Sequence, residues 1–394
     1  MAELQNSKGD EFPWHVGAFD VHCHCAERML AVPALEQMRT RAIVALATRD
    51  QDQALVAEIA KRYGMGSDAS LKSETTIAIA GFGTHPWFAH EVYNDLVPEP
   101  TYQTGPDTDA AAAKEQHYKA VLTPEPTDPE FLTSMATPVA LSAFLANTRE
   151  HLRNHPYALV GEIGLDKAFR LPVPWSQTPW EHDATRTEGA RERRPLSAHH
   201  IKMSHQQAIL EAQLKLAGEM NRPVSVHGVQ AHGVLFNALA ASWKGHEKRK
   251  PKAQRRKHTE QADLQKNVGN DTQDDIAEAK PYPPRICLHS FSGKAEAVVP
   301  YLNPKIPAKI FFSFSKTNNL RDEAGRSRLR DVLEAIPAER LLVETDMHTA
   351  GGQMDDDLAE IYRTVCECKG WQLEDGLKVI GENFRDFIFG SDAD

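Results

Sequence analysis

Short apolar runs recur along the chain, each closed by a polar loop and several followed by a segment with helical spacing. They are Phe19–His24, Ala42–Ala47, Thr76–Gly83, Ala158–Gly164, Val224–His227, Ile286–His289, Lys309–Phe314 and Leu341–Glu344. The runs are mostly continuous rather than alternating, and rich in Val, Ile, Leu and Phe, as expected of strands covered on both faces. Helical spacing predicts helices over Gln51–Tyr63 and Ser204–Glu219, the second combining good helix formers with apolar residues three and four apart. Eight strands alternating with helices predict an α/β fold of the (β/α)8 TIM-barrel type; a doubly wound open sheet is the alternative.

Three stretches interrupt the pattern. Tyr93–Asp128 is rich in Pro, Asp, Thr and Ala. Leu171–Pro195 carries Pro and Trp and then the charged run ATRTEGARERRP. Trp243–Pro284 opens with the basic run KGHEKRKPKAQRRKH and turns acidic. They read as partly disordered insertions (93–128, 171–195 and 243–284) in a single barrel domain spanning 1–394, because none has apolar residues enough for its own core.

Composition narrows the class. The chain has 394 residues, 41% of them hydrophobic, which suits one large barrel with insertions. A formal charge of −10 argues against a generally basic nucleic-acid coat, though not against a local site. The five cysteines (Cys23, Cys25, Cys287, Cys366, Cys368) form no spaced framework, which predicts reduced thiols in the cytoplasm or nucleus. The polar, acidic N-terminus predicts no signal peptide, and no run along the chain predicts a membrane span. Cys366 and Cys368, two apart on a predicted helix, do not share a face, and the adjacent His199 and His200 read as surface residues.

The candidate chemistry lies where the strands end. Phe19–His24 closes on His22-Cys23-His24, and alternation along a strand sends both imidazoles to one side, with Cys23 on the other. In a barrel the active site collects at the C-terminal strand ends. Glu162 near the end of the fourth run, His227 at the end of the fifth, His289 at the end of the sixth and Asp346 just past the eighth join the pair there. A carboxylate in a buried run needs a cation. Four histidines and two carboxylates suit one or two divalent ions, which lower the pKa of bound water and polarise the bond to be cleaved. A carboxylate between two ions fits Glu162; an aspartate that ligates and accepts the proton of water fits Asp346.

With these residues in view, the sequence resembles the TatD family of metal-dependent deoxyribonucleases. FDVHCHC is similar to the family's opening strand, GTHPWF (Gly83 to Phe88) to its GxHP motif, and GEIGLD (Gly161 to Asp166) to its most recognisable block. Gln206 to His227 is similar to the helix and strand that follow, LHSFSG (Leu288 to Gly293) to HCFSG, LLVETD (Leu341 to Asp346) to the closing motif, and GENFRDFIFG to the C-terminal helix. The resemblance implies DNA as substrate and phosphodiester hydrolysis. It implies one metal on His22, His24, Glu162 and Asp346 and a second on Glu162, His227 and His289. It also implies His85 and Asp166 on the substrate side, His85 facing the substrate and Asp166 supporting. Mixed ligands suit Zn²⁺, Mn²⁺ or Fe²⁺, and Mg²⁺ by abundance. The long insertions are similar to those of fungal members, which implies a protein partner, an anaphase-promoting complex subunit.

Two loops depart from the family. Gly228-Val229-Gln230 follows His227 where a Ser-Arg-Asp type of segment is usual, so a cationic phosphate contact is missing there. Met347-His348-Thr349-Ala350 follows Asp346 where Pro, an aromatic and Leu are usual. Two rivals follow. One is an amidohydrolase-like enzyme on a small molecule, which Glu162 disfavours because many such enzymes bridge their metals with a modified lysine on the fourth strand, and Lys167 lies beyond it. The other is a binding scaffold with weakened catalysis. The basic run His246–His258 is a candidate DNA contact or nuclear address, and reads more simply as a solvated loop.

Overall fold

The computed structural model describes residues 11–65, 71, 75–103, 105, 109–178, 194–248 and 280–390. All eight apolar runs are parallel strands of one sheet: β1 (Phe19–Cys23), β2 (Ala42–Leu46), β3 (Ile77–Phe82), β4 (Leu159–Asp166), β5 (Val224–Val229), β6 (Arg285–Leu288), β7 (Lys309–Ser315) and β8 (Leu341–Glu344). Their order in the sheet is their order in the chain. The Asp346 N–H donates to the carbonyl of His22 at 3.0 Å, drawing the last strand onto the first. The result is the expected barrel, nearly closed, rather than a doubly wound sheet.

The non-alternating strand pattern has its cause in two buried faces. Val44, Leu46, Ile77, Ile79 and Leu159 share one apolar cluster with Phe384 and Phe387, while the intervening Ile43, Ala45, Ala78, Ala80 and Val160 belong to a second cluster with the surrounding helices. Those helices include α1 (Asp50–Tyr63), α2 (Ala110–Val121), α3 (Leu141–Asn154), α4 (Met203–Glu219), α5 (His232–Ser242), α6 (Glu323–Ala335), α7 (Gly352–Lys369) and α8 (Leu373–Phe389). The two helices expected from spacing are α1 and α4, each one residue longer at its start.

The stretch 93–128 is more ordered than its composition suggests. Its Ala-rich run forms α2, started by the Asp109 carboxylate, which accepts the Ala111 N–H at 2.9 Å. Tyr118, Val121 and Leu122 then join Phe131, Phe144, Phe88 and Phe169 in a third buried cluster. A few large apolar residues, too sparse to read as a core, become one when α2 lies against neighbours distant in sequence. The stretch 171–195 begins as an antiparallel neck: Leu171 N–H donates to His199 O, Ser197 N–H to Leu171 O and Val173 N–H to Pro195 O, at 2.8–2.9 Å. Residues 179–193 and 249–279, with most of the basic run, lie outside the described residues.

Candidate metal centre

The HxH pair does converge, by a less regular route than simple alternation. Asp20 is level with Ile43 but Cys23 with Ala45, so β1 carries one residue more than β2 over that interval. His24 sits just past the strand. A second such irregularity falls at Glu162, where Val160 and Ile163 on β4 face Val224 and Val226 on β5. Extra residues of this kind re-aim side chains, and both lie beside candidate ligands. Cys23 points away, its thiol donating to Val44 O at 3.4 Å.

Glu162 is the hub, buried at 2% exposure. Its Oε2 lies 3.2 Å from His22 Nε2 and 3.0 Å from His24 Nε2. Those two nitrogens are 3.1 Å apart, and Asp346 Oδ1 stands 3.7 and 3.5 Å from them. Its Oε1 lies 2.7 Å from His289 Nε2, 3.0 Å from His227 Nδ1 and 3.1 Å from His85 Nε2. Donors on a tetrahedral ion at roughly 2.0–2.2 Å stand about 3.3–3.6 Å apart. The first group, at 3.0–3.7 Å, straddles that spacing, and the second, at 2.7–3.2 Å, is tighter. Six predicted ligands therefore meet in two groups that share one carboxylate.

The outer nitrogens test whether these residues fit metal ions. His24 Nδ1 faces the Leu46 carbonyl at 3.3 Å, and a carbonyl can only accept. His289 Nδ1 faces the Glu344 carboxylate at 3.3 Å, and His227 Nε2 faces the Asp166 carboxylate at 3.1 Å. His22 Nδ1 faces the Ser225 hydroxyl at 2.8 Å. Each outer nitrogen has an acceptor for its proton, which leaves the inner lone pair aimed at the centre, the usual second layer of a metal site. His85 has the opposite polarity. Its Nδ1 accepts the Trp87 N–H at 3.1 Å, so a neutral His85 carries its proton on Nε2 and donates to Glu162. That separates it from the ligand histidines, although it lies near them and is itself buried rather than presented openly to substrate.

Within the centre, His24 and His289 are raised and hold protons, whereas burial lowers His22 and His85. Burial opposes the ionised Glu162, but His85, His289 and His22 outweigh it and bring its pKa well below the usual carboxylate range. Burial likewise opposes a charged His24, and Glu162, Asp346 and Glu27 overcome it, raising the group to about 10. Divalent ions could take the place of those protons.

Several supporting residues escape sequence reading. Glu344, fully buried on β8, receives His289 and the hydroxyls of Ser290 and Ser313. The signal that singled out Glu162, a carboxylate inside an apolar run, was present there too. Asn318 Nδ2 donates to Asp346 Oδ2 at 2.6 Å, and His348 Nδ1 meets Glu27 at 2.9 Å while its ring stacks on His24 at 5.4 Å. No sequence signal marks these. Asp166 Oδ2 takes His227 Nε2 together with Trp87 Nε1, the latter at 2.6 Å. Gly164 has a backbone reason to be glycine: at φ 151° a Cβ would stand 2.1 Å from His227 O.

The family of TatD related DNases matches residues 19–389. The Cut9-interacting protein scn1 of Schizosaccharomyces pombe is 33% identical over 373 residues, covering 94% of this chain and 98% of that protein. An uncharacterized deoxyribonuclease of Saccharomyces cerevisiae is 27% identical over 272 residues, 68% of this chain and 65% of that one. Among solved structures, a TatD family hydrolase from Entamoeba histolytica has a TM-score of 0.51 at 13% identity, covering 95% of this chain and 99% of its own. An uncharacterized amidohydrolase from Saccharomyces cerevisiae reaches 0.53 at 14% identity, with 94% and 99% covered. These two likenesses establish the fold.

Proposed function

The chain belongs to the TatD related DNase family, and from that premise we propose that it hydrolyses DNA phosphodiester bonds with the help of one or two divalent ions. The observation that carries the reading is Glu162, whose two oxygens face two separate groups of donors. His22, His24, Glu162 and Asp346 would hold one ion, and Glu162, His227 and His289 the other. The ions would supply Lewis acidity and a water acidic enough to lose its proton near neutral pH.

Asp346 is the residue for that proton. One oxygen faces the first donor group, and the other is fixed by Asn318, so the side chain cannot rotate freely. Its backbone has φ 55°, a left-handed conformation that a short polar residue tolerates, and this turns it back over the strand ends. Glu162 orients both histidine groups. His85, with its proton on Nε2, is a donor at the edge of the centre and suits a phosphoryl oxygen once that bond to Glu162 is exchanged. The test is hydrolysis of labelled single- and double-stranded DNA with Mg²⁺, Mn²⁺, Zn²⁺ or Fe²⁺, beside small ester and amide substrates. Activity on amides or lactones alone would favour the amidohydrolase-like alternative.

A second reading is favoured by the name of the Schizosaccharomyces pombe relative: a protein-binding role, with a partner of the Cut9 kind, with or without turnover. Deleting residues 249–279 separates the roles. A partner contact there is lost with hydrolysis intact, whereas a DNA contact there weakens DNA binding and flattens its salt dependence. No described helix is long and apolar enough to cross a membrane, and the free cysteines suit a cytoplasmic or nuclear setting.

A further inference from the structure

Beside the candidate metal centre lies a cavity of about 260 Å³, whose described lining joins aromatic rings to cations. Trp87 is the common wall: it lines the cavity, and its Nε1 is held by Asp166, the carboxylate that also holds His227. Phe169 lies against Trp87 with ring centroids 4.9 Å apart and planes 17° from parallel. Arg49 sits over Phe88 at 4.9 Å and Arg194 over Trp175 at 4.6 Å. Glu91 is a carboxylate among the described lining residues.

Two of the lining groups are poorly satisfied. Arg49 Nε is buried without a hydrogen bond, its ion-pair partner Asp52 standing off at 3.6 Å. His90 is 8% exposed and its buried Nδ1 has no partner. Buried donors and acceptors normally find one, so the cavity presents unmet polar capacity on an aromatic floor. Trp175 and Arg194 come from the two sides of the neck formed by Leu171–Val173 and Pro195–Ser197, so the excursion that interrupts the barrel pattern brings them here.

We infer that this cavity binds one nucleotide of the substrate strand next to the bond being cleaved, its base against the Trp87, Phe169 and Trp175 rings and its phosphate on Arg49 and Arg194. The inference rests on the nucleic-acid reading of the centre. Aromatic faces with nearby guanidinium groups bind single-stranded nucleic acid with little sequence preference, and the guanidinium fork suits phosphate oxygens. Roughly 300–1,000 Å³ is usual for larger organic ligands, so the cavity suits one nucleotide and not a duplex. It also supplies cations where the loop Gly228-Val229-Gln230 after His227 has none.

The test is calorimetric titration of the metal-loaded full chain with dAMP, adenosine and inorganic phosphate, for native protein, Arg49→Gln and Trp175→Leu, with bound metal per chain measured throughout. Each substitution is expected to weaken dAMP at least about tenfold. Arg49→Gln should also abolish the preference for dAMP over adenosine, and Trp175→Leu the preference over phosphate. Native protein that does not bind dAMP, or dAMP affinity within about twofold of native in both variants, overturns the assignment. Binding needs no turnover, so the two readings fail separately. A chain that hydrolyses DNA while both variants bind dAMP normally loses this cavity but keeps its hydrolase reading. A chain that binds dAMP through these residues and hydrolyses nothing loses only the hydrolase.

Discussion

The Asp20 carboxylate on β1 clasps Thr345 just beyond β8: Oδ1 accepts the Thr345 N–H at 3.1 Å and Oδ2 its hydroxyl at 2.5 Å. Oδ1 also takes the His22 N–H at 3.1 Å. One buried side chain thus fixes the relative height of His22 and Asp346, residues more than three hundred positions apart that the proposed metal centre needs side by side. Burial, partly offset by those bonds, lifts its pKa to about 7.

Asp20→Asn keeps the volume and an oxygen for the His22 and Thr345 N–H groups, but turns an N–H₂ towards the Thr345 hydroxyl, which in the native chain donates to Oδ2. Losing that hydroxyl-to-carboxylate bond costs about 1–3 kcal/mol, so urea unfolding should show a loss of that order. Metal per chain should fall with it, because His22 and Asp346 lose their common support. Native stability in this variant would show that the clasp is incidental.

Asp346→Asn should nearly abolish hydrolysis, because the amide retains one ligating oxygen but cannot accept the proton from water. General-base assistance is typically worth roughly 10²- to 10⁴-fold. Glu162→Gln should behave differently and lose bound metal first, since both donor groups converge on that carboxylate. Turnover and metal content measured together distinguish the two, and near-native turnover of Asp346→Asn would remove it as the base.

Gly164→Ala tests how the centre is built. Its added methyl would strike the His227 carbonyl from a backbone conformation that alanine avoids. A loss on the order of 2–4 kcal/mol is expected, with His227 displaced and metal binding weakened. A variant that melts with the native protein would mean that β4 and β5 can part there at little cost.

The pH dependence of stability should report buried histidines away from the ligands. Burial, aided by His117 and His205, brings His90 down to about 3, and burial brings His117 down to about 4. Both folded values lie below the ordinary histidine value of about 6.5, so the unfolded chain takes up these protons first. Their penalty is absent above pH 6.5 and grows as pH falls towards 4, by up to about 1.4 kcal/mol per pH unit for each group. Buried Asp20, raised to about 7, titrates in the same window with the opposite sign. The test therefore compares urea unfolding of native protein and His90→Gln between pH 7.5 and 5, and the variant should lose less stability as pH falls. Equal slopes in the two proteins would refute it.

The hydrophobic pattern alone determined the eight strands, because a strand covered on both faces must be apolar at nearly every position, and that requirement is written locally. The candidate ligands were legible for a related reason: His22, Glu162, His227, His289 and Asp346 are polar groups where a buried run ends, and such groups need partners. Tertiary structure alone decided who those partners are. Sequence shows neither the extra residues in β1 and β4 that aim His22 and Glu162, nor the carbonyl and carboxylates that set the tautomers of His24, His227 and His289. It does not show Asp20 beneath Thr345, or Glu344 behind His289. The helix α2 was hidden because its few large apolar residues become a core only against Phe144 and Phe169. Burial patterns depend on neighbours in the chain and can be read there; hydrogen-bond direction and side-chain aim depend on neighbours in space, which exist only once the barrel has closed.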